Sequence, residues 1–227
     1  MRSIAAAIAD HRLAPGTKLK ELELAGLYGV NRAVIRGALA RLAHARAIEL
    51  RPNRGALVAS PSLEESRQVM AARRIIETTI VQQLAGKPER ATLNRLRALV
   101  KEEGKAYATG DTARALSLSI GFHRALAGLG ENAVLAEFVD QLVVRTPLIV
   151  LKYHSNGRGD HHVCPNLEHV EIVAAIAAGD ARRAGQLMSV HMQRIESELA
   201  LERPAARPTL AESLDLGART GRVDNAN

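Results

Sequence analysis

Three histidines in the second half of the chain lie on helical faces that are otherwise apolar: His123, His169 and His191. Neutral imidazole is a common protein ligand for zinc, nickel and related ions. Three such faces could meet in the interior of a helical bundle and form one metal site. Taken singly, each is more often a core histidine bonded to a neighbour, because the long separations match no compact metal motif.

A second group of residues with recognisable chemistry lies near the N-terminus. Asn31, Arg32 and Arg36 stand in the first turns of a predicted helix, where a helix-turn-helix places its base-reading side chains. Arginine matches the N7 and O6 acceptors of guanine, while Asn31 suits either a helix cap or a phosphate contact. Asn53 and Arg54 lie at the tip of a predicted hairpin, which could reach a groove or the backbone. A single surface arginine is usually only solvated, so the ordered set carries the prediction.

The charge distribution supports a nucleic-acid partner for the N-terminal block alone. Residues 1–59 hold ten Lys or Arg and four acidic residues, a net of +6, whereas residues 60–227 hold 21 and 20, a net of +1. Three tyrosines, two phenylalanines and no tryptophan leave few platforms for stacking unpaired bases, which favours duplex DNA. A single cysteine, no long apolar run and no signal-peptide pattern predict a cytoplasmic protein without a membrane segment.

The elements that position these residues form two predicted domains. Residues 1–60 give three short helices, the second closing at Gly29 and the third covering Arg32 to His44, followed by two short strands, 47–51 and 56–59. Ser60-Pro61-Ser62 marks the boundary, and Ser62 with Glu65 forms a capping-box signature.

Helical periodicity then dominates the chain. The predicted helices span 63–85, 88–108, 111–128, 132–153, 166–178 and 180–201. We therefore predict a mainly α protein, with an N-terminal winged helix-turn-helix and a C-terminal all-α bundle over residues 61–202. Prolines and weak apolar periodicity predict a disordered tail over 203–227.

The N-terminal block resembles the winged-helix domain of the GntR family of bacterial transcription regulators. The matching residues are Leu13-Ala14-Pro15-Gly16, Leu19, Leu24-Ala25, Gly29-Val30-Asn31-Arg32, Val34-Ile35-Arg36, Ala38-Leu39, Arg41-Leu42 and Asn53-Arg54-Gly55. The family commonly has Ser or Thr at Asn31 and Glu at Gly37. The resemblance implies that DNA is contacted by Asn31, Arg32, Val34, Arg36, Asn53, Arg54 and Gly55.

Residues 64–200 resemble the all-helical FCD ligand-binding domain of the FadR-type branch of that family. The resembling pieces are Arg73–Glu77, Phe122-His123, Gly130-Glu131-Asn132, Glu168-His169, Ala175-Ile176, Gly179-Asp180, and Met188 with His191. The resemblance implies that the three histidines hold a divalent metal, zinc or nickel. Ser119 stands where metal-binding members have an aspartate ligand, which weakens the expected site and leaves positions open for water or an effector carboxylate.

The same resemblance implies an effector site beside the histidines. Arg73 matches an arginine that often holds the effector's carboxylate, although a surface salt bridge with Glu77 at i,i+4 explains it equally well. Ser119 and Arg145 are the other residues assigned to that site.

The leading hypothesis is a homodimeric repressor that binds operator DNA and is released by a small organic acid. Two alternatives stay open: a metal-dependent enzyme built on the bundle, and a DNA binder whose sensor domain no longer binds metal. No carboxylate accompanies the histidines in an HExxH-like arrangement, so we predict that the protein is not an enzyme.

Overall fold

The computed structural model describes residues 4, 7–8, 13–51, 55–153 and 166–199. The N-terminal part contains strand β1 (Lys18–Leu19), helices α1 (Glu21–Tyr28) and α2 (Arg32–His44), and strands β2 (Ile48–Arg51) and β3 (Gly55–Val58). The strands form one antiparallel sheet in the order β1-β3-β2. The predicted winged helix-turn-helix is thereby confirmed, but β1 was not predicted because two residues are too few to show a period.

Local signals explain how α1 and α2 begin and end. Gly29 adopts the left-handed conformation (φ 62°) that closes α1. Asn31 caps α2, because its side-chain oxygen accepts a hydrogen bond from the backbone N–H of Val34 at 2.9 Å. The apolar stripe of α2, including Leu39 and Leu42, is buried against the sheet and against Ile4 and Ile8.

The rest of the described chain is helical. The helices are α3 (Leu63–Leu84), α4 (Arg90–Ala108), α5 (Thr112–Leu129), α6 (Ala133–Val143), α7 (Thr146–Tyr153), α8 (Asn166–Ala177) and α9 (Ala181–Glu198). Helix α3 packs along α9, α4 packs on α5 and α8, and one apolar core runs between them. The predicted cap is present, since Ser62 Oγ accepts from the Glu65 N–H at 3.0 Å. The predicted tail over 203–227 lies outside the described residues.

The predicted single helix over 132–153 is wrong. The chain leaves the helical path after Val143 and starts again at Thr146. Pro147 explains the break, because proline has no N–H to donate to the preceding turn but is tolerated in the first turn of a new helix. The break creates α7 as a separate short helix.

Helix α7 joins the two parts of the molecule. Leu148 is only 1% exposed and belongs to the apolar core of the winged domain, with Val144 packed beside it. At its other end, Lys152 Nζ and Tyr153 Oη donate hydrogen bonds to the carbonyl of Pro61, at 2.6 and 3.1 Å. Among the described residues, no helix is long and apolar enough to cross a membrane.

Candidate DNA-reading surface and histidine site

The start of α2 presents two arginines to solvent, with their side chains 60% and 67% exposed for Arg32 and Arg36. Both meet one carboxylate on the neighbouring helix. Arg36 donates from Nε and Nη2 to the two oxygens of Glu21 at 3.2 and 3.0 Å, and Arg32 Nη2 lies 3.5 Å from one of them. The hydrogen bond and charge of Arg36 lower the pKa of Glu21, which keeps that carboxylate ionised.

The other residues predicted to contact DNA fall into three groups. Asn31 is engaged as the cap of α2, and Val34, which is 52% exposed, lies in the first turn of that helix. Gly55 begins β3 with φ 75°, a conformation that favours glycine. Asn53 and Arg54 lie outside the described residues.

The three histidines, which come from three different helices, meet in the bundle interior. His123 on α5, His169 on α8 and His191 on α9 are all buried. The Nε2 atom of His191 lies 3.3 Å from Nε2 of His169 and 3.4 Å from Nε2 of His123. Helix packing therefore brings together side chains that are 22 and 68 residues apart in the chain.

Each histidine is held from behind by a carboxylate on its Nδ1 atom. His169 Nδ1 lies 2.7 Å from Glu103, His191 Nδ1 lies 2.6 Å from Glu168, and His123 Nδ1 contacts Glu77. An ionised carboxylate can only accept, so the Nδ1 atoms beside Glu77 and Glu168, those of His123 and His191, carry the proton and their Nε2 atoms present lone pairs. Carboxylates that orient histidines in this way are the usual outer shell of a metal site.

Two of the three separations between the Nε2 atoms fit a tetrahedral ion. Zinc–nitrogen bonds of about 2.0–2.1 Å place two ligands of a tetrahedron about 3.3–3.4 Å apart. The observed separations are 3.3 and 3.4 Å. Lone pairs facing each other at this distance repel unless a cation lies between them, so the residues present fit a divalent metal.

One buried and one half-buried arginine neutralise two of the three carboxylates. Arg73 Nε donates to Glu77 at 2.7 Å, and its Nη1 donates to Thr146 Oγ1 at 3.0 Å. Arg194 holds Glu168 with two hydrogen bonds, at 2.7 and 3.0 Å. The Arg73–Glu77 salt bridge, weighed from the sequence as a surface alternative to effector binding, is present but buried, with side chains 2% and 3% exposed. The apolar faces of α3 and its neighbours enclose the pair.

These contacts shift the pKa values of the site. Burial would raise the pKa of Glu77, but the charges of Arg73 and His123 outweigh it and lower the pKa to about 2. Burial lowers the pKa of His123 to about 3, against the attraction of Glu77 and with added repulsion from Arg73. Burial would also raise the pKa of Glu168, but the hydrogen bonds and charges of His191 and Arg194 outweigh it and lower the pKa to about 2. We therefore treat these carboxylates as ionised and His123 as neutral.

The three residues predicted to bind an effector are placed differently. Arg73 adjoins the site through Glu77, and its Nη2 has no hydrogen-bond partner within the described part of the chain. Ser119 is 5% exposed and lies one helical turn before His123 on α5. Arg145 instead lies near Glu65 in the first turn of α3, at 3.8 Å. Glu65 precedes Arg73 by eight residues, about 12 Å along the helix.

Sequence reasoning gave no role to Glu103, Glu168 or Arg194. Glu168 precedes His169 directly and was noted only as part of a resembling motif. A buried carboxylate such as Glu103, which is 0% exposed, gives no signal in a single sequence, because its helical position alone does not show what it faces.

Comparison with known proteins agrees with both halves of this architecture. Residues 1–58 match the model of bacterial regulatory proteins of the gntR family, and residues 68–194 match the FCD domain. The fold and these matches define a DNA-binding transcription regulator with a C-terminal helical FCD domain. The chain belongs to the GntR family, in the group that carries an FCD domain.

Individual relatives span nearly the whole chain. The chain is 26% identical to the HTH-type transcriptional regulator LutR of Bacillus subtilis, over 85% of this chain and 96% of the relative. It is 24% identical to the HTH-type transcriptional repressor RspR of Escherichia coli, over 82% and 81%. A putative GntR regulator from Rhodococcus superposes with a TM-score of 0.77 at 25% identity, covering 89% and 96%. The relatives are transcription regulators, so the enzyme alternative is set aside.

Proposed function

We propose that this protein is a homodimeric repressor that binds a two-fold symmetric operator and is released by a small organic acid bound near a metal. The observation that carries the sensing half of the proposal is the convergence of three histidine Nε2 atoms backed by three carboxylates. The name of RspR supports repression as the direction of control.

Operator reading falls to α2 and the β2–β3 hairpin. Arg32 and Arg36 stand exposed on α2, where a recognition helix meets base edges in the major groove. Asn31, as a cap, and Val34 lie beside them, and the family resemblance adds Asn53, Arg54 and Gly55 on the wing. A dimer would place two such heads on two half-sites.

A divalent metal, zinc in preference to nickel, fits the histidine site. His123, His169 and His191 would hold it, and their tetrahedral spacing favours zinc. When bound, the ion supplies a positive charge and an open ligand position that an anionic oxygen can occupy. Ser119, rather than a carboxylate, lies one turn before His123, which leaves that position to water or to the effector.

The effector proposal rests on Arg73. A buried guanidinium with an unpaired Nη2 is costly unless a second acceptor reaches it, and the carboxylate of an organic acid provides one. Ser119 lies on α5, one helical turn before His123, and its hydroxyl can donate to the acid. The assignment of Arg145 to this site stays a prediction, since its measured neighbour is Glu65.

Helix α7 offers a route from the sensor to the reading head. Its first residue, Thr146, accepts a hydrogen bond from Arg73. Two residues later, Leu148 packs in the core of the winged domain. A ligand that changes the position of Arg73 would therefore move a helix packed against the DNA-binding domain. Control of this kind requires the effector to bind the two states with different affinities.

The deciding experiment measures operator affinity of the full chain with and without bound metal and with a panel of organic acids. We expect purified protein to carry about one zinc per chain, lost in His169→Ala, and one class of acid to weaken operator binding. Arg32→Ala and Arg36→Ala should lose specific binding while the helical domain stays folded.

The contrary outcomes separate the parts of the proposal. If the protein contains no metal and its operator binding still responds to an acid, the metal has no part in the response. Operator binding that no acid changes would favour the alternative of a DNA binder with an inert sensor domain. Wild-type footprints from both arginine variants would remove the reading assignment.

A further inference from the structure

Glu21 stands out on the reading surface because it is an acidic residue placed where DNA phosphates are to be approached. It is the first residue of α1 and holds two arginines of the adjacent helix, 11 and 15 residues away in the chain. A carboxylate at this position repels DNA, so its presence beside the reading arginines needs a physical reason.

The geometry of the Arg36 contact supplies that reason. Glu21 takes the side edge of the guanidinium, the Nε–H and one Nη2–H. A guanidinium has five N–H donors, and none of the remaining three of Arg36 is bonded to a described residue; the end edge consists of one N–H of Nη1 and the second N–H of Nη2. The end edge is the fork that can meet the O6 and N7 acceptors of guanine with two parallel hydrogen bonds.

A side chain held in this way loses less conformational freedom on binding. Arginine has more rotamer entropy than most side chains, and an exposed, untethered Arg36 would lose much of it on meeting a base. The two-point contact with Glu21 removes part of that freedom before DNA arrives, and the weaker contact restricts Arg32 on the same carboxylate.

We propose that Glu21 is a specificity-determining positioning residue, which orients Arg36 end-on toward a guanine in each half-site and lowers non-specific affinity by its charge. The inference rests on the proposed reading of DNA by α2. It adds that correct sequences are preferred because Glu21 fixes the direction in which the Arg36 fork points.

Glu23 provides a matched control. It lies on the same helix, its side chain is 62% exposed, and it pairs with Lys20 at 3.6 Å instead of with a reading arginine. Glu21→Gln and Glu23→Gln therefore remove the same charge from the same helix. Only the first breaks the two-point contact, because the amide of glutamine offers a single acceptor oxygen.

The test selects duplexes from a random library with the full-length wild-type chain, then measures affinities for the selected duplex, its guanine-substituted versions and an unrelated duplex at one salt concentration. A bidentate arginine–guanine contact discriminates by about five- to 150-fold. We expect Glu21→Gln to lower discrimination at one guanine by at least about fivefold and to raise affinity for the unrelated duplex. Glu23→Gln should raise that affinity by a similar factor and leave discrimination unchanged.

Two results would overturn the inference in distinguishable ways. If Arg36→Ala keeps the guanine preference, the proposed base contact itself is wrong. If Arg36→Ala loses the preference but Glu21→Gln behaves like Glu23→Gln, the arginine reads DNA without help and Glu21 has no positioning role.

Discussion

The molecule uses the same ion pair, arginine with glutamate, in two opposite environments. On the reading head, Glu21 and Arg36 are 29% and 67% exposed and meet at 3.0–3.2 Å. In the helical domain, Glu77 and Arg73 are 3% and 2% exposed and meet at 2.7 Å. Water screens the first pair, so it contributes little to folding, whereas the second is integral to the packing of its domain.

The difference in exposure determines what each ion pair can do. An exposed pair contributes little to folding but can direct a side chain toward a partner. A buried pair must keep its partners, because a lone buried charge is strongly unfavourable. Arg73 therefore connects the histidine site, through Glu77, to Thr146 on α7.

The largest expected effect comes from breaking the buried pair. Glu77→Ala leaves Arg73 buried without its counter-charge and frees His123 from its orienting partner, so we expect a loss of about 3–5 kcal/mol in the free energy of unfolding. Urea unfolding of the metal-free full chain measures it. A loss no larger than that of a surface substitution would mean that the pair is open to water.

Acid should destabilise the sensor through the same residues. The pKa of His123 is about 3 in the folded chain and 6.5 in the unfolded chain. The unfolded chain therefore binds one more proton than the folded chain between pH 3 and pH 6.5. The pKa of Glu77, about 2 against 4.5, adds a second proton below pH 4.5. Both pKa shifts act in the same direction. The free energy of unfolding falls as the pH falls, by up to about 1.4 kcal/mol per pH unit for each proton.

Unfolding midpoints measured with a chelator between pH 7 and 4 check this expectation. His123→Asn should flatten the profile between pH 6.5 and 4.5, while Glu21→Gln should keep the wild-type slope. A wild-type profile that is already flat down to pH 5 would contradict the buried, neutral state of His123.

Metal affinity should respond to a single residue of the histidine site. Ser119→Asp places a carboxylate one turn before His123, and we expect zinc to bind at least about tenfold more tightly, a change comparable with those of outer-shell residues. Ser117→Asp adds the same charge at an exposed position of the same helix and should have little effect. Equal affinities for the two variants would mean that position 119 does not face the ion.

The smallest effect is expected from the exposed pair. Glu21→Ala should leave the urea midpoint of the full chain unchanged, because Arg32 and Arg36 remain solvated when their partner is removed. A clear fall in the midpoint would show that Glu21 supports the fold of the reading head, and the contrast between the two pairs would then be smaller than we infer.

Much of this architecture could be predicted because its signals are local. The cap at Asn31, the end of α1 at Gly29 and the capping box at Ser62 each depend on a few neighbouring residues. The break before α7 also has a local signal, Pro147. The strong apolar pattern on both sides of this residue nevertheless predicts one continuous helix. The two-residue strand β1 left no pattern to find.

The sequence by itself determined the order of the elements, the basic character of the reading head and the inward faces of three histidines, because periodicity and charge are properties of short segments. Only the tertiary structure decided that Glu103 and Glu168 stand behind two of those histidines, that Arg73 is buried, and that Leu148 reaches the winged-domain core. These facts depend on which helices pack together and in what rotation. Packing is set by the whole core and cannot be read from any one segment.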